Sequence, residues 1–211
     1  MDGLRMAGMR TAWTTVGDGE FFCPACGGDR NYKRRTGRRR LVVLGLPVLA
    51  RGEVPEALVC TSCRGHFGTG RLERPTTNRL ATLLRDAVHI VVLSTLAAGG
   101  TGSREAVEAA VATLQEAGFP DCSEEQLLAL LAALHADGAV RRDELHRVLD
   151  PLVPHLAAAG RERLLLHGAR IALADGPYEQ AEHAVLRALG GALRLRSAET
   201  ERLLAAAPER H

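Results

Sequence analysis

The sequence predicts a mainly α protein, a bundle of about seven helices preceded by a small β domain. Three observations carry that expectation. Apolar residues make up 46% of the chain but aromatics only 3%, so the hydrophobic mass is Ala, Leu and Val, which favours helices packed closely through small side chains. From residue 80 onward apolar residues recur at helical spacing. The first segment is different in kind: it holds four of the five cysteines and five of the seven aromatic residues, Trp13, Phe21, Phe22, Tyr32 and Phe67.

Charge divides the chain at the same place. The net charge of +2 hides 13 Lys/Arg against 7 Asp/Glu in residues 1–74 and 14 against 18 in residues 75–211. Two domains are therefore expected, 1–74 and 75–211, meeting where Pro75 and a Thr pair precede the first strongly periodic segment. No charged region followed by an apolar stretch opens the chain, since Arg5 and Arg10 interrupt it. The longest clean apolar run, LVVLGLPVLA, is far short of the about 20 residues that span a bilayer. A cytoplasmic protein without membrane insertion is expected, its first domain having a flexible N-terminus and a linker.

Cys23 and Cys26 are matched, after a gap of 33 residues, by Cys60 and Cys63. Two residues between thiolates let one tight turn aim both sulfurs at one ion, and two such turns complete a tetrahedral zinc site. Gly27 and Gly65 follow the pairs and are expected to relieve the turns. Two disulfides are the competing reading, disfavoured by a reducing compartment and by an odd cysteine total. The fifth, Cys122, precedes a capping box of Ser123 and Gln126 and is expected to act as an apolar staple against Leu127.

Between the cysteine pairs, NYKRRTGRRRLVVLGLPVLARG reads as extended runs about a Thr36-Gly37 break, and EALVC as a returning strand. With its CPACG knuckle, the segment from about 20 to 67 resembles a zinc ribbon, a group whose members bind nucleic acid, dock proteins or staple structure. Six basic residues, Lys33, Arg34, Arg35, Arg38, Arg39 and Arg40, crowd one hairpin and form a candidate contact for a polyanion or an acidic protein. Alternate side chains face opposite ways along a strand, so about half of them can share a face. With few aromatics for stacking, nucleic acid ranks second to a solvated hairpin or a docking surface for acidic protein.

The second domain opens with Leu80, Leu83, Leu84, Ala87, Val88, Val91, Val92 and Leu96 as one apolar stripe, stopped at Gly99-Gly100. Further helices are expected at about 103–117, 123–136, 141–157 with a break at Asp150-Pro151, 160–174, 178–193 and 198–207. Within them a phrase recurs. TLAAGGTGSREAV and ALADGPYEQAEHA align with an offset of 77, pairing Leu96 with Leu173, Gly99 with Gly176 and Glu105 with Glu182. Asp175 at a helix C-terminus opposes the helix dipole, so it either meets a cation or caps the helix beginning at Pro177.

At ALADGPYEQAEHAVLRALGGAL the sequence resembles the TerB-like family of tellurite resistance, over about residues 78–207. The resemblance implies a helical domain with two related copies of an Ala-Asp-Gly helix end and an acidic cluster for a divalent cation. Asp175 and Glu182 match that motif, and Glu105 matches in the first copy, where Ala98 replaces the expected Asp. At best a reduced, weak Ca²⁺ or Mn²⁺ site of Asp175, Glu182 and Glu105 is thus implied, which recruits Asp86, Asp137 or Glu179 or is absent. No phosphate loop, nucleophile elbow or HExxH is present. The chain reads as a non-enzymatic protein of the tellurite or metal-stress response, its bundle sensing metal or binding proteins of a stress-response complex. The alternative is a nucleic-acid-binding regulator that uses the basic ribbon.

Overall fold

The computed structural model describes residues 7–43, 46–100, 102–136 and 142–207. The chain forms two compact units, residues 1–80 and 81–211.

The first unit is an antiparallel four-stranded meander: β1 (Ala7–Cys23), β2 (Gly28–Val43), β3 (Leu46–Cys60) and the short β4 (His66–Gly68). Of the expected flexible N-terminus, residues 1–6 lie outside the described residues, and from Ala7 the chain is strand. β1 pairs with β2 from Ala7↔Val43 to Cys23↔Gly28, and its β-branched and aromatic stretch around Trp13 suits a half-covered pleated surface. The Thr36-Gly37 break is corrected, since β2 runs straight through it. Gly37 is buried, and a Cβ there would meet Thr11, Val54 and Trp13 at 2.9–3.1 Å; glycine makes room for Trp13 and does not form a turn.

Register then sorts the side chains. The irregularities lie in β1, between Thr15 and Gly17, and in β3, while β2 alternates without interruption. One face of β2 presents Tyr32, Arg34, Arg38 and Arg40, the other Lys33, Arg35, Gly37 and Arg39. On the first face Phe21, Cys23, Leu58 and Cys60 are buried, with Cys26, Tyr32 and Phe67 packed against them. Phe21 meets Tyr32 and Phe67 with ring centroids 5.6 Å apart in each pair. Among the described residues this core of four buried side chains is too small to hold a domain unaided.

A 3-10 turn (Thr69–Glu73) leads to α1 (Thr77–Gly99). Its first turn belongs to the first unit, because the Asp29 carboxylate accepts from the Thr77 amide at 2.9 Å and the Asn78 amide at 3.3 Å. This carries the division a few residues past the expected boundary at 74.

The second unit contains the rest of α1 and α2 (Arg104–Glu116), α3 (Glu124–Ala136), α4 (Arg142–Leu149), α5 (Ala158–Ala172), α6 (Gln180–Ala192) and α7 (Ser197–Ala206). The expected break after α4 appears as Asp150, Pro151 and a 3-10 turn (Val153–His155). Ser123 and Gln126 form the expected capping box, each amide bonded to the other's side chain at 3.3 Å. Along α1 the expected stripe widens: from Ile90 to Leu96 every residue is buried, Ser94 and Thr95 turning their hydroxyls back to the Val91 carbonyl. A helix covered on all sides is a core helix. Small residues permit close packing, since a Cβ on Gly168 of α5 would meet Leu186 at 2.9 Å and Thr95 at 3.1 Å. Among the described residues one helical stretch, Thr69–Gly99, is long and apolar enough to cross a membrane, and 56% of its apolar window is buried inside the fold.

Candidate metal centre

The four cysteines of the first unit stand on two similar turns. After Cys23 the chain bends so that the Gly27 amide donates to the Cys23 carbonyl at 2.9 Å; after Cys60 the Arg64 amide donates to the Cys60 carbonyl at 3.0 Å. The fourth residue past each leading cysteine is left-handed, with φ of +68° at Gly27 and +59° at Arg64. Gly65 relieves the second turn by its lack of a side chain. Gly65 is needed for space, because a Cβ there would lie 3.0 Å from Phe67 and 3.2 Å from the Cys63 sulfur. Its amide donates to that sulfur at 3.4 Å.

These turns bring the sulfurs of Cys23, Cys26, Cys60 and Cys63 within 4.8 Å of one another. None of the four is in a disulfide. Cys23 and Cys63 are 3.7 Å apart, matching the edge of about 3.8 Å of a tetrahedron with metal–sulfur bonds of about 2.3 Å. Their acidities diverge as expected for thiols sharing one space. Burial, followed by hydrogen bonds with the other three sulfurs, pushes the Cys26 thiol up to about 12. Burial acts on Cys60 too, but the amides of Cys63 and Ser62 outweigh it and bring that thiol down to about 7. A divalent cation at the centre would favour four thiolates together. The donor set, its count and its spacing fit a metal ion of zinc type.

The carboxylates named from the repeated phrase are not brought together in this way. Among the described residues the cysteines are the group of three or more potential ligands close enough to share an ion. Glu182 is buried, at 4% exposure. It is the third residue of α6 and closes a capping box with Glu179, its carboxylate accepting from the Glu179 amide at 2.9 Å. The cap of α6 is therefore Glu179, not Asp175, and the helix begins at Gln180, not Pro177. Burial, with the charges of Asp175 and Glu179, raises the Glu182 carboxyl above its ordinary range, opposed in part by the Glu179 amide. Glu105 receives the hydroxyl of Ser103, the N-cap of α2, at 3.2 Å.

The caps explain the divergence. An offset of 77 carries Ser103, the N-cap of α2, onto Gln180, which already lies inside α6. The copies are out of step by one residue, about 100° around a helix, so Glu105 is the second residue of its helix and Glu182 the third. Asp86 lies in α1 near His89, and Asp137 is outside the described residues.

The six basic residues separate by face. Arg34 and Arg38 have carboxylate partners, Glu56 at 3.8 Å and Glu53 at 3.6 Å, and Arg40 shares their face by alternation. Lys33 and Arg35 line a cavity of about 400 Å³ on the other face with Val59, Cys60, Thr61, Arg64 and His66, so it borders the second knuckle. Arg39 lies further along the same face, opposite Thr11. Sequence reasoning did not single out Trp13, Arg64 or His66 here; the CxxC spacing held a signal for Arg64, which occupies the place of Gly27.

Comparison with known proteins bears on the helical unit. Neither a curated protein nor a solved structure matches the chain. The family described as "Tellurite resistance protein TerB" matches residues 85–205, a span that takes in most of α1 and all the helices after it up to the end of α7. That span is more than half of the sequence, and the chain belongs to the TerB family.

Proposed function

We propose that the protein is a non-enzymatic component of a cytoplasmic tellurite or metal-stress response, in which a zinc-stapled ribbon is joined to a TerB bundle that binds other proteins. The single observation that carries this reading is the coincidence in one chain of a TerB match and a four-sulfur cluster of tetrahedral dimensions. Zinc suits four thiolates better than harder ions do. Its place in a domain with so small a core points to folding, not chemistry.

Between sensing a cation and binding proteins, the bundle favours the second. Glu182 is committed to a helix cap, and Glu105 accepts from Ser103, the N-cap of its own helix. A Ca²⁺ or Mn²⁺ ion would have to displace the cap before it could be held.

The test is complementation. A strain lacking the gene is expected to lose tellurite tolerance, to regain it with the intact chain, and to regain it with Asp175→Asn as well. No difference between the deleted and complemented strains would refute a role in tellurite response. Failure of Asp175→Asn alone would restore the cation reading.

A further inference from the structure

The face of the sheet opposite the small aromatic core carries a set of groups that the metal centre does not use. Lys33 and Arg35 project from β2, His66 from β4 and Arg64 from the second knuckle, and together they line one cavity. Among the described residues none of Lys33, Arg35, Arg64 or His66 has an ion pair. Arg34 and Arg38 on the other face do. Asp18, opposite Lys33 in register, makes no ion pair with it. The cations lining the cavity are thus left open to a ligand, while Arg34 and Arg38 on the other face are paired within the sheet.

Two further observations narrow the ligand. Trp13 lies on this same face, opposite Gly37, and is 38% exposed. Its ring stands 6.0 Å from the His66 ring at 58°, so an aromatic surface borders the basic cavity. Arg64 adopts a left-handed backbone that is strained for an L-residue, at the position where the first knuckle uses glycine. Backbone strain retained where glycine would relieve it points to a use for the side chain. From Lys33 to Arg39 the open face runs six residues, about 20 Å of strand.

We propose that the face bearing Trp13, Lys33, Arg35, Arg64 and His66 binds single-stranded nucleic acid, with phosphates in the basic cavity and a base stacked at Trp13. A single strand offers both parts of the match, a charged backbone and bases free to stack on an aromatic ring. An acidic peptide would use the cations and leave the tryptophan without a role. The proposal is independent of what the bundle binds.

The experiment uses the full chain, purified with its metal, and a fluorescent oligothymidylate of about a dozen nucleotides. Binding is expected to weaken steeply with salt. Lys33→Gln with Arg35→Gln and Arg64→Gly should make the salt slope shallower by about 2, from about 0.7 per cation removed. Trp13→Ala should weaken binding about tenfold, within the range for loss of one stacked base. Arg34→Gln with Arg38→Gln, on the other face, should leave both quantities unchanged. Arg64→Gly alone, which relieves the backbone and cannot be faulted for unfolding the knuckle, should still weaken binding severalfold. The proposal is overturned if the oligonucleotide is not retained at physiological salt, or if the Arg34/Arg38 variant loses as much affinity as the Lys33/Arg35/Arg64 variant. It is also overturned if polyglutamate competes as well as the oligonucleotide and Trp13→Ala changes nothing, which would make the face a docking site for acidic protein.

Discussion

The carboxylate of Glu182 occupies the space that a Cβ on Gly99 would need. The two residues come from different copies of the recurring phrase, Gly99 closing α1 and Glu182 opening α6. Helix propensity alone favours alanine over glycine by about 1 kcal/mol, yet Gly99→Ala is expected to destabilise the bundle by about 1–3 kcal/mol, because it either displaces the cap or distorts the end of α1. Urea denaturation followed by circular dichroism decides the sign, and a stabilised variant would contradict the contact.

The same carboxylate yields a prediction in pH. Its folded pKa is raised, so the folded chain holds the proton longer than the unfolded one; stability from this group is greatest in acid and declines as pH rises above the ordinary carboxyl range. Glu182→Gln keeps an acceptor for the Glu179 amide and removes the buried charge, so at pH 7 it should equal or exceed the parent in melting temperature. Glu182→Ala should fall below it by about 1 kcal/mol, the usual cost of a lost cap. A glutamine variant as unstable as the alanine variant would argue against a burdened carboxylate.

Histidines act in the opposite direction at higher pH. His89 lies against the Phe119 ring, centroids 4.1 Å apart; burial lowers its pKa, with Asp86 and the Arg85 backbone opposing. His167 is lowered by burial and then by Arg163 and Arg170, with Glu116 opposing. Unfolded histidines take up protons first, so stability is present above about pH 6.5 and is lost as pH falls below it. The melting temperature of the bundle should drop between pH 7.5 and 5.5, and His89→Gln with His167→Gln should reduce the drop. An undiminished drop in the double variant would place its origin elsewhere.

Left-handed residues of the two knuckles make a matched pair. Gly27→Ala should cost about 1 kcal/mol, and Arg64→Gly should recover about the same amount. The readout is the chelator concentration at which half the metal is lost, which should fall for the first variant and rise for the second.

One zinc per chain is expected on elemental analysis of protein purified under reducing conditions, and Cys60→Ser should abolish stoichiometric binding. Chelation should remove the near-ultraviolet signal of Trp13 and Tyr32 while the helical far-ultraviolet signal persists, since the bundle has its own core. Loss of the helical signal on chelation would refute separate cores.

Where sequence and structure agree, the determinants are local. The CxxC pairs, the Ser123/Gln126 box and the stop at Gly99-Gly100 each act within a turn or two, and the helix limits follow from them. The sheet was less legible because its meaning depends on partners. β1 lacks clean alternation and reads as a tail until β2 is set beside it, and Gly37 reads as a turn until Trp13 is placed above it. The division of the six cations between a paired and an open face depends on where the bulges fall, which no single strand reveals. For the acidic phrase, a one-residue difference in helix start, Ser103 against Glu179, gives two glutamates that the repeat pairs different places in their helices, second in α2 and third in α6.

Asp29 follows the first knuckle by three residues and holds the opening amides of α1, 48 residues further on. Occupancy of the metal centre and fraying of that helix end are consequently linked equilibria. Whatever fastens the sulfurs also secures the carboxylate, and by reciprocity anything that rigidifies Thr77 and Asn78 tightens the grip on the ion. Amide exchange at Thr77 and Asn78 would then register metal loss from a site to which neither residue contributes a ligand.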